Sequence, residues 1–304
     1  VTFLIGLRKV IRGIMKIRLG AFPWIFPALA MIAVFVVWPA FEMIRTSFQE
    51  IDPTGLAIGW AGFENYRTLF ENPDLKPVLI RTIFWVTGIV FFTIVISLPV
   101  AQLLNANFPG RKLVRWIVII PWAASVVMTS TIFKWILDPY SGVLNRIFVD
   151  IGLINEPRDW LGNPTEAMVW LMVVAIFVSI PFTAFVLLAG LSTIPSDIME
   201  AAKVDGATDL KGYREITFPL LRPALLVAAV INLINVFNSF PIIWIMTMGG
   251  PGYMTDTTTT LAYKISFRDQ NIGASASMAS INFVIIFIFI LLFLRVSKWK
   301  EVTK

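Results

Sequence analysis

Two groups of residues in this chain have types and spacings suited to molecular work, and neither is catalytic. Asn232, Asn235, Asn238 and Ser239 recur at i, i+3, i+6 and i+7 inside an apolar run, which places them on roughly one helix face. An amide buried in hydrocarbon costs several kcal/mol if it is unpaired. These side chains therefore either line a wet cavity or bond a neighbouring helix. An asparagine offers both a donor and an acceptor, a combination that suits sugar hydroxyls.

The second group is Glu200, Ala201, Ala202, Asp205, Gly206 and Ala207, a polar, glycine-punctuated stretch between two long apolar segments. Pro195-Ser196-Asp197 reads as a helix start, because Ser196 or Asp197 can cap free N–H groups and acidic charge is favourable there. Gly206 is a natural stop, being free to adopt the left-handed conformation that closes a helix. A helix of about nine residues fits between them, some 13 Å long at 1.5 Å per residue. Ala201 and Ala202 keep one side slim enough to sink into a partner's cleft, and Glu200 and Asp205 supply charge to anchor it. A solvated loop with ordinary caps is the plainer alternative. From about Thr208 a second helix runs through Leu210, Tyr213 and Ile216 to Pro219.

Smaller signals lie elsewhere in the apolar sequence. Ser125 and Thr129 are spaced i, i+4, with Ser130 and Thr131 beside them, and Ser179 and Phe182 flank Pro181. Such hydroxyls either face a polar path or bond their own backbone. Phe182 fits a core position as well as a sugar-stacking platform.

The elements that must position these residues are membrane helices. The chain has 304 residues, is 57% hydrophobic and only 14% charged, where soluble domains sit nearer a quarter charged. It lacks Cys and His, which removes disulfides, thiol nucleophiles, imidazole acid–base chemistry and the commonest metal ligands. The net charge of +6 follows membrane topology and does not call for nucleic acid. No cleavable signal is evident.

Apolar segments near 24–46, 82–104, 115–137, 167–190, 220–247 and 273–295 are each long enough to cross a bilayer, which takes about 20 residues. They do not alternate in polarity, so helices are expected and not barrel strands. With the N-terminus inside, most of the 25 basic residues fall in cytoplasmic pieces, among them Arg8, Lys9, Arg12, Arg111, Lys112, Arg115, Lys203, Lys211 and Lys298. The positive-inside rule then puts both termini and the 191–219 loop in the cytoplasm. Ionisable residues near the spans (Glu42, Arg45, Arg81, Lys134, Arg222) fall at their boundaries. Proton- or voltage-coupled machines need charges at depth, so a secondary transporter or channel for a polar solute is the weaker reading. Residues 1–20 read as an interfacial amphipathic helix or as a frayed basic tail that only sets topology. Residues 21–304 read as one six-helix permease domain.

The chain resembles the carbohydrate-type ABC importer permeases, in the subclass that contains the maltose and glycerol-phosphate permeases. The resemblance covers roughly residues 24 to 295. It rests on Phe63-Glu64-Asn65-Tyr66, Ile120-Pro121-Trp122-Ala123, Asp138-Pro139-Tyr140-Ser141-Gly142, Thr247-Met248-Gly249-Gly250-Pro251, and the spacing from Glu200-Ala201-Ala202 through Gly206 to Ile216-Thr217-Phe218-Pro219. That last stretch is similar to the family's EAA loop, with Phe218 where Leu is usual. The Gly-Gly-Pro turn resembles the first permease of the usual unlike pair more than its companion.

The resemblance implies an all-α, type I ABC importer permease fold, and a chain that is not an enzyme. It implies a homologous second permease, two cytosolic ATPase subunits that bind ATP and Mg, an extracytoplasmic solute-binding protein, and a sugar cargo, with oligosaccharides favoured. ATPase coupling would pass through Glu200 to Ala207. Cargo would meet Asn232, Asn235, Val236, Ser239, Thr129, Ser179 and Phe182, to which the spacing read above adds Asn238 and Ser125. Val236 stands where maltose-type members carry an amide. The solute-binding protein would dock near Tyr66, Tyr140, Trp160, Gly249, Gly250 and Pro251, in what are otherwise plain structured loops. No glycine loop with a Lys suggests a nucleotide site on this chain.

Overall fold

A computed structural model describes residues 22–296. The expected N-terminal segment 1–20 lies outside the described residues. The first span, Pro23–Thr46, is built from α1 (Phe22–Ile32), a π-helical turn (Ala33–Val37) and α2 (Trp38–Thr46). After it come a small antiparallel hairpin of β1 (Gln49–Ile51) and β2 (Ala57–Trp60) and a short helix α3 (Glu64–Glu71). The bundle's central pair is α4 (Leu75–Asn105) and α8 (Pro164–Ser192), packed along each other. The start of α8 is written locally. The Asn163 side chain accepts hydrogen bonds from the Thr165 and Glu166 N–H groups, and Pro164 takes the first turn, where its missing N–H costs nothing.

The third and fifth apolar segments are not straight spans. Residues 115–137, expected as one helix, form α5 (Arg111–Ala123) and α6 (Val126–Ile136), bent by 92° where Ala124 and Ser125 turn extended. Between them and α8 sits a short helix α7 (Val143–Asp150). Residues 220–247 are likewise divided. A π-helical turn (Tyr213–Thr217) and the short α11 (Phe218–Leu220) precede a 63° bend into α12 (Arg222–Phe237), which stops at Asn238-Ser239 before α13 (Phe240–Met246). Pro219, Pro223 and Pro241 each fall in the first turn of the piece they open, the position where proline is compatible with a helix. The chain closes with α14 (Thr258–Phe267) and α15 (Ile272–Val296). Counting each bent pair as one, six spans are present among the described residues. The all-α, six-span expectation therefore holds, with two spans broken.

Three apolar clusters follow one another along α4. One gathers Leu104, Leu187, Leu191 and Leu221, the next Trp85, Ile89, Leu171, Val174 and Ile243, and the last Leu69, Val78, Leu261 and Met278. Beside the last cluster is a buried ion pair with no local signature in the sequence. Lys264 Nζ donates to Asp256 Oδ2 at 2.6 Å, with the side chains 8% and 1% exposed. Burial pushes the Asp256 carboxyl up, and the Lys264 hydrogen bond opposes that shift. The pair backs the Gly-Gly-Pro turn. Gly249 has φ +81°, and a methyl group there would run into Asp256 and Lys264, so only glycine fits.

Removing one partner of a buried pair leaves an uncompensated charge, so Lys264→Met is expected to cost about 3–5 kcal/mol. Lys264→Met combined with Asp256→Leu should recover most of that loss. Denaturant unfolding of the purified protein in detergent measures both, and a single variant as mild as the double one would contradict this account.

Candidate functional site

Helix breaks converge on a cavity of about 340 Å³. Ser179 and Phe182 of α8, Asn232, Asn235 and Val236 of α12, and Asn238 and Ser239 of the break that follows all reach its wall. Two residues stand at the other break, Trp122 at the end of α5 and Val126 at the start of α6. No ionisable side chain lines the cavity among the described residues.

The expected pathway residues separate by their hydrogen bonds. Asn232 is 2% exposed, and its Nδ2 donates to Thr183 Oγ1 at 2.7 Å and to the Ala228 carbonyl at 2.9 Å. It ties α12 to α8, so packing already engages its donor. Asn238 Nδ2 donates back to the Ile234 carbonyl at 3.0 Å, and Ser179 Oγ to the Ala175 carbonyl at 2.7 Å. Ser239 Oγ donates to the Val236 carbonyl at 2.6 Å and accepts from Trp85 Nε1 at 2.8 Å. Asn235 differs: its side chain is exposed to the cavity, and no protein hydrogen bond to it is seen among the described residues. It is the uncommitted amide of the set.

Ser125 and Thr129 are not brought to the cavity wall. Ser125 sits in the extended link at the head of α6, and Thr129 is buried. Both stand on the α6 side of the 92° bend, where the Thr129 N–H donates to the Ser125 carbonyl at 2.9 Å, so their i, i+4 spacing holds without bringing either to the cavity. Trp122, part of the Ile-Pro-Trp-Ala motif, has no local signal that marks it for the wall. Its ring stacks on Phe182 with centroids 6.1 Å apart and planes at 29°, making an aromatic wall beside the free amide.

At one end of the bundle, α9 (Ser196–Val204) is the helix expected from the caps. Gly206, at φ +79°, closes it in the left-handed conformation, and the Ala207 N–H reaches back to the Ala202 carbonyl at 2.9 Å. Glu200, Ala201, Asp205 and Gly206 are exposed, and Ala207 is half-buried. Ala202 faces inward at 9% exposure, so only Ala201 of the slim pair is open to a partner. Val204 is 88% exposed, an apolar tip at the end of the helix. A second helix follows, α10 (Asp209–Gly212), headed by Thr208, whose Oγ1 accepts from the Lys211 N–H at 3.3 Å.

At the opposite end, Tyr140 is 97% exposed. The Asp138 carboxylate presents it by accepting from the Tyr140 N–H, the Ser141 N–H and the Ser141 hydroxyl at 2.8 to 3.0 Å. These bonds, those from Ser141 foremost, hold the Asp138 carboxyl below its usual range. Trp160, expected on the same docking surface, is buried. Its Nε1 donates to Asn145 Oδ1 at 2.8 Å, and its ring packs on Phe148 and Trp170. Tyr66 is half-buried, its hydroxyl 2.8 Å from Ser47 Oγ. Gly249 is buried, while Gly250 and Pro251 are partly open.

Residues 73–301 match the family described as binding-protein-dependent transport system inner membrane component. A probable ABC transporter permease protein of Brucella suis biovar 1 is 38% identical, over 91% of this chain and 96% of the relative. A sulfoquinovosyl glycerol transport system permease protein of Agrobacterium fabrum is 33% identical, over 93% of this chain and 92% of the relative. The fold is shared with the crystal structure of a bacterial ABC transporter that imports the acidic polysaccharide alginate, at TM-score 0.80 and 23% identity, over 93% of this chain and 96% of that one. The chain belongs to the binding-protein-dependent inner membrane components and is a permease of ABC importer type.

The hydrogen-bond pattern separates two asparagines three residues apart. Asn232→Ala should lower stability by about 1 kcal/mol, the scale of hydrogen bonds between membrane helices, whereas Asn235→Ala should leave stability unchanged. Thermal unfolding of both variants in the same detergent tests this, and equal losses would contradict the division.

Proposed function

We propose that this permease forms half of the translocation path of an importer for a neutral saccharide, with the cavity as the place where cargo rests. The observation that carries this reading is the cavity wall: a free Asn235 amide beside the stacked Trp122 and Phe182 rings, with no charge lining it among the described residues. Flat aromatic faces take the apolar faces of sugar rings, and an amide gives and accepts hydrogen bonds with hydroxyls. An acidic sugar would call for a cation, best an Arg fork, and the wall supplies none. A charged cargo would need that cation from another subunit.

In this reading the companion is a second, homologous permease, and two cytosolic ATPases bind ATP and Mg. Both termini and α9 face the cytoplasm, and an extracytoplasmic binding protein delivers sugar to the end that carries Tyr140 and Gly250-Pro251. The chain does no chemistry of its own. Closure of the ATPases pulls on α9 through the exposed Glu200, Ala201 and Val204, and the bend between α11 and α12 passes that movement to Asn232, Asn235 and the rest of the cavity wall. A ligand can bias two states only by its differential affinity for them, which gives nucleotide and sugar their leverage on each other.

Two measurements on the complete importer in proteoliposomes test this. Glu200→Lys with Gly206→Pro should cut binding-protein-stimulated ATP hydrolysis by about 5- to 150-fold, the usual range of site-to-site coupling, in a protein that still folds and inserts. Undiminished stimulation would remove α9 from the account. Trp122→Ala should weaken uptake of the cognate sugar by about 2- to 10-fold, as expected for losing about 0.5–1.5 kcal/mol of stacking, with basal ATP hydrolysis unchanged. Unaltered uptake would move the cargo elsewhere.

A further inference from the structure

The hairpin after the first span carries a largely open apolar surface. Leu56, Ile58, Trp60 and Phe63 are 66%, 63%, 72% and 75% exposed. This is a rigid surface. Phe48 stacks on Trp60 at 5.8 Å and meets Phe63 edge-on at 5.3 Å and Tyr66 at 5.3 Å. Asn65 Nδ2 donates to the Ser47 and Gln49 carbonyls at 3.0 and 2.8 Å. Asp52 Oδ1 fixes the turn by accepting from the Thr54 N–H, the Thr54 hydroxyl and the Leu56 N–H.

Its level relative to the bilayer follows from what its two ends touch. The base leaves the first span at Thr46, and β1 begins at Gln49. At the tip, a methyl group on Gly55 would lie 3.8 Å from Ile272 Cδ1, and Ile272 opens the last span. The next residue, Gly273, lies against the Asn65 amide, and Ser277 Oγ reaches the Ser47 carbonyl at 3.4 Å. Base and tip thus both lie beside the ends of spans on the same membrane face. The hairpin lies along that face and does not project from it. The first span, which leads into the hairpin, has an apolar window with no residue buried in the chain.

We infer that the β1–β2 hairpin, with Phe63, is an interfacial anchor that seats Leu56, Ile58, Trp60 and Phe63 in the bilayer's headgroup–acyl boundary, on the face opposite α9. Tryptophan and other aromatic rings concentrate at that depth, and apolar side chains of interfacial elements enter the acyl boundary. The anchor clamps the outer ends of the first and last spans to one lipid depth while the helices between them move. The partner of this surface is lipid acyl chain, not a protein.

The chain has no cysteine, so with the companion subunits in cysteine-free form each introduced cysteine is the single label. The assembled importer, without its binding protein, is placed in phosphatidylethanolamine–phosphatidylglycerol nanodiscs with or without brominated acyl chains. A bimane label is attached to Ile58→Cys or Leu56→Cys, with Phe84→Cys, 70% exposed on the apolar helix α4, as the lipid reference and Tyr140→Cys as the water reference. The anchor predicts quenching by bromolipid close to that at Phe84→Cys, and protection from iodide. Iodide quenching like that at Tyr140→Cys would overturn it, because the hairpin would then be in water. Protection from both quenchers would overturn it equally, because another subunit would then cover the surface.

Discussion

Hydrocarbon cannot solvate a backbone N–H or C=O, so a membrane helix can be broken only where something else satisfies the freed groups. The stop between α12 and α13 meets that condition with few side chains. The Val236 carbonyl, orphaned at the helix end, accepts from the Ser239 N–H at 3.2 Å, Ser239 Oγ at 2.6 Å and Trp85 Nε1 at 3.1 Å. The Ile234 carbonyl takes both the Asn238 N–H and the Asn238 side-chain amide. Trp85 comes from α4, the longest helix described, so the break is clasped by the most firmly packed part of the bundle.

The cavity is the consequence of that clasp. Because α12 stops where it does, the side chains after it turn back to the wall formed by α8, and the second break, at Ala124-Ser125, brings Trp122 to face Phe182. The polar residues in this region then divide the labour. Asn232, Asn238 and Ser239 use hydrogen bonds to hold helices and helix ends in place, and Ser179 bonds back to the preceding turn of its own helix. Asn235 leaves its amide without a protein hydrogen bond among the described residues. In the function proposed above, path and packing, rival explanations of a polar stripe, fall to different residues.

Hydropathy makes the six apolar segments legible because span length is set by the bilayer. The caps make α9 legible because Gly206 and the residues before it act locally. Directions in space are not legible. Averaged hydropathy does not register a 92° turn, so the spacing of Ser125 and Thr129 along α6 does not tell that this piece points them away from the cavity wall. Trp160 has the composition of a docking residue, yet Asn145 of α7 captures its N–H, and the ring turns inward against Phe148 and Trp170. The Asp256–Lys264 pair is hidden for a related reason. Its members are eight residues apart, with only Lys264 inside α14, so no helical spacing announces their contact.

The absence of cysteine from this chain, with the companion subunits in cysteine-free form, allows a direct test of the claim that Asn235 faces a path open to each side of the membrane in turn. Asn235→Cys in the assembled importer is exposed to a membrane-impermeant thiol reagent from one side at a time, with and without trapped nucleotide. The account predicts labelling from the α9 side without nucleotide and from the Tyr140 side with nucleotide trapped. Labelling that is absent in both states, or that ignores nucleotide, would contradict it.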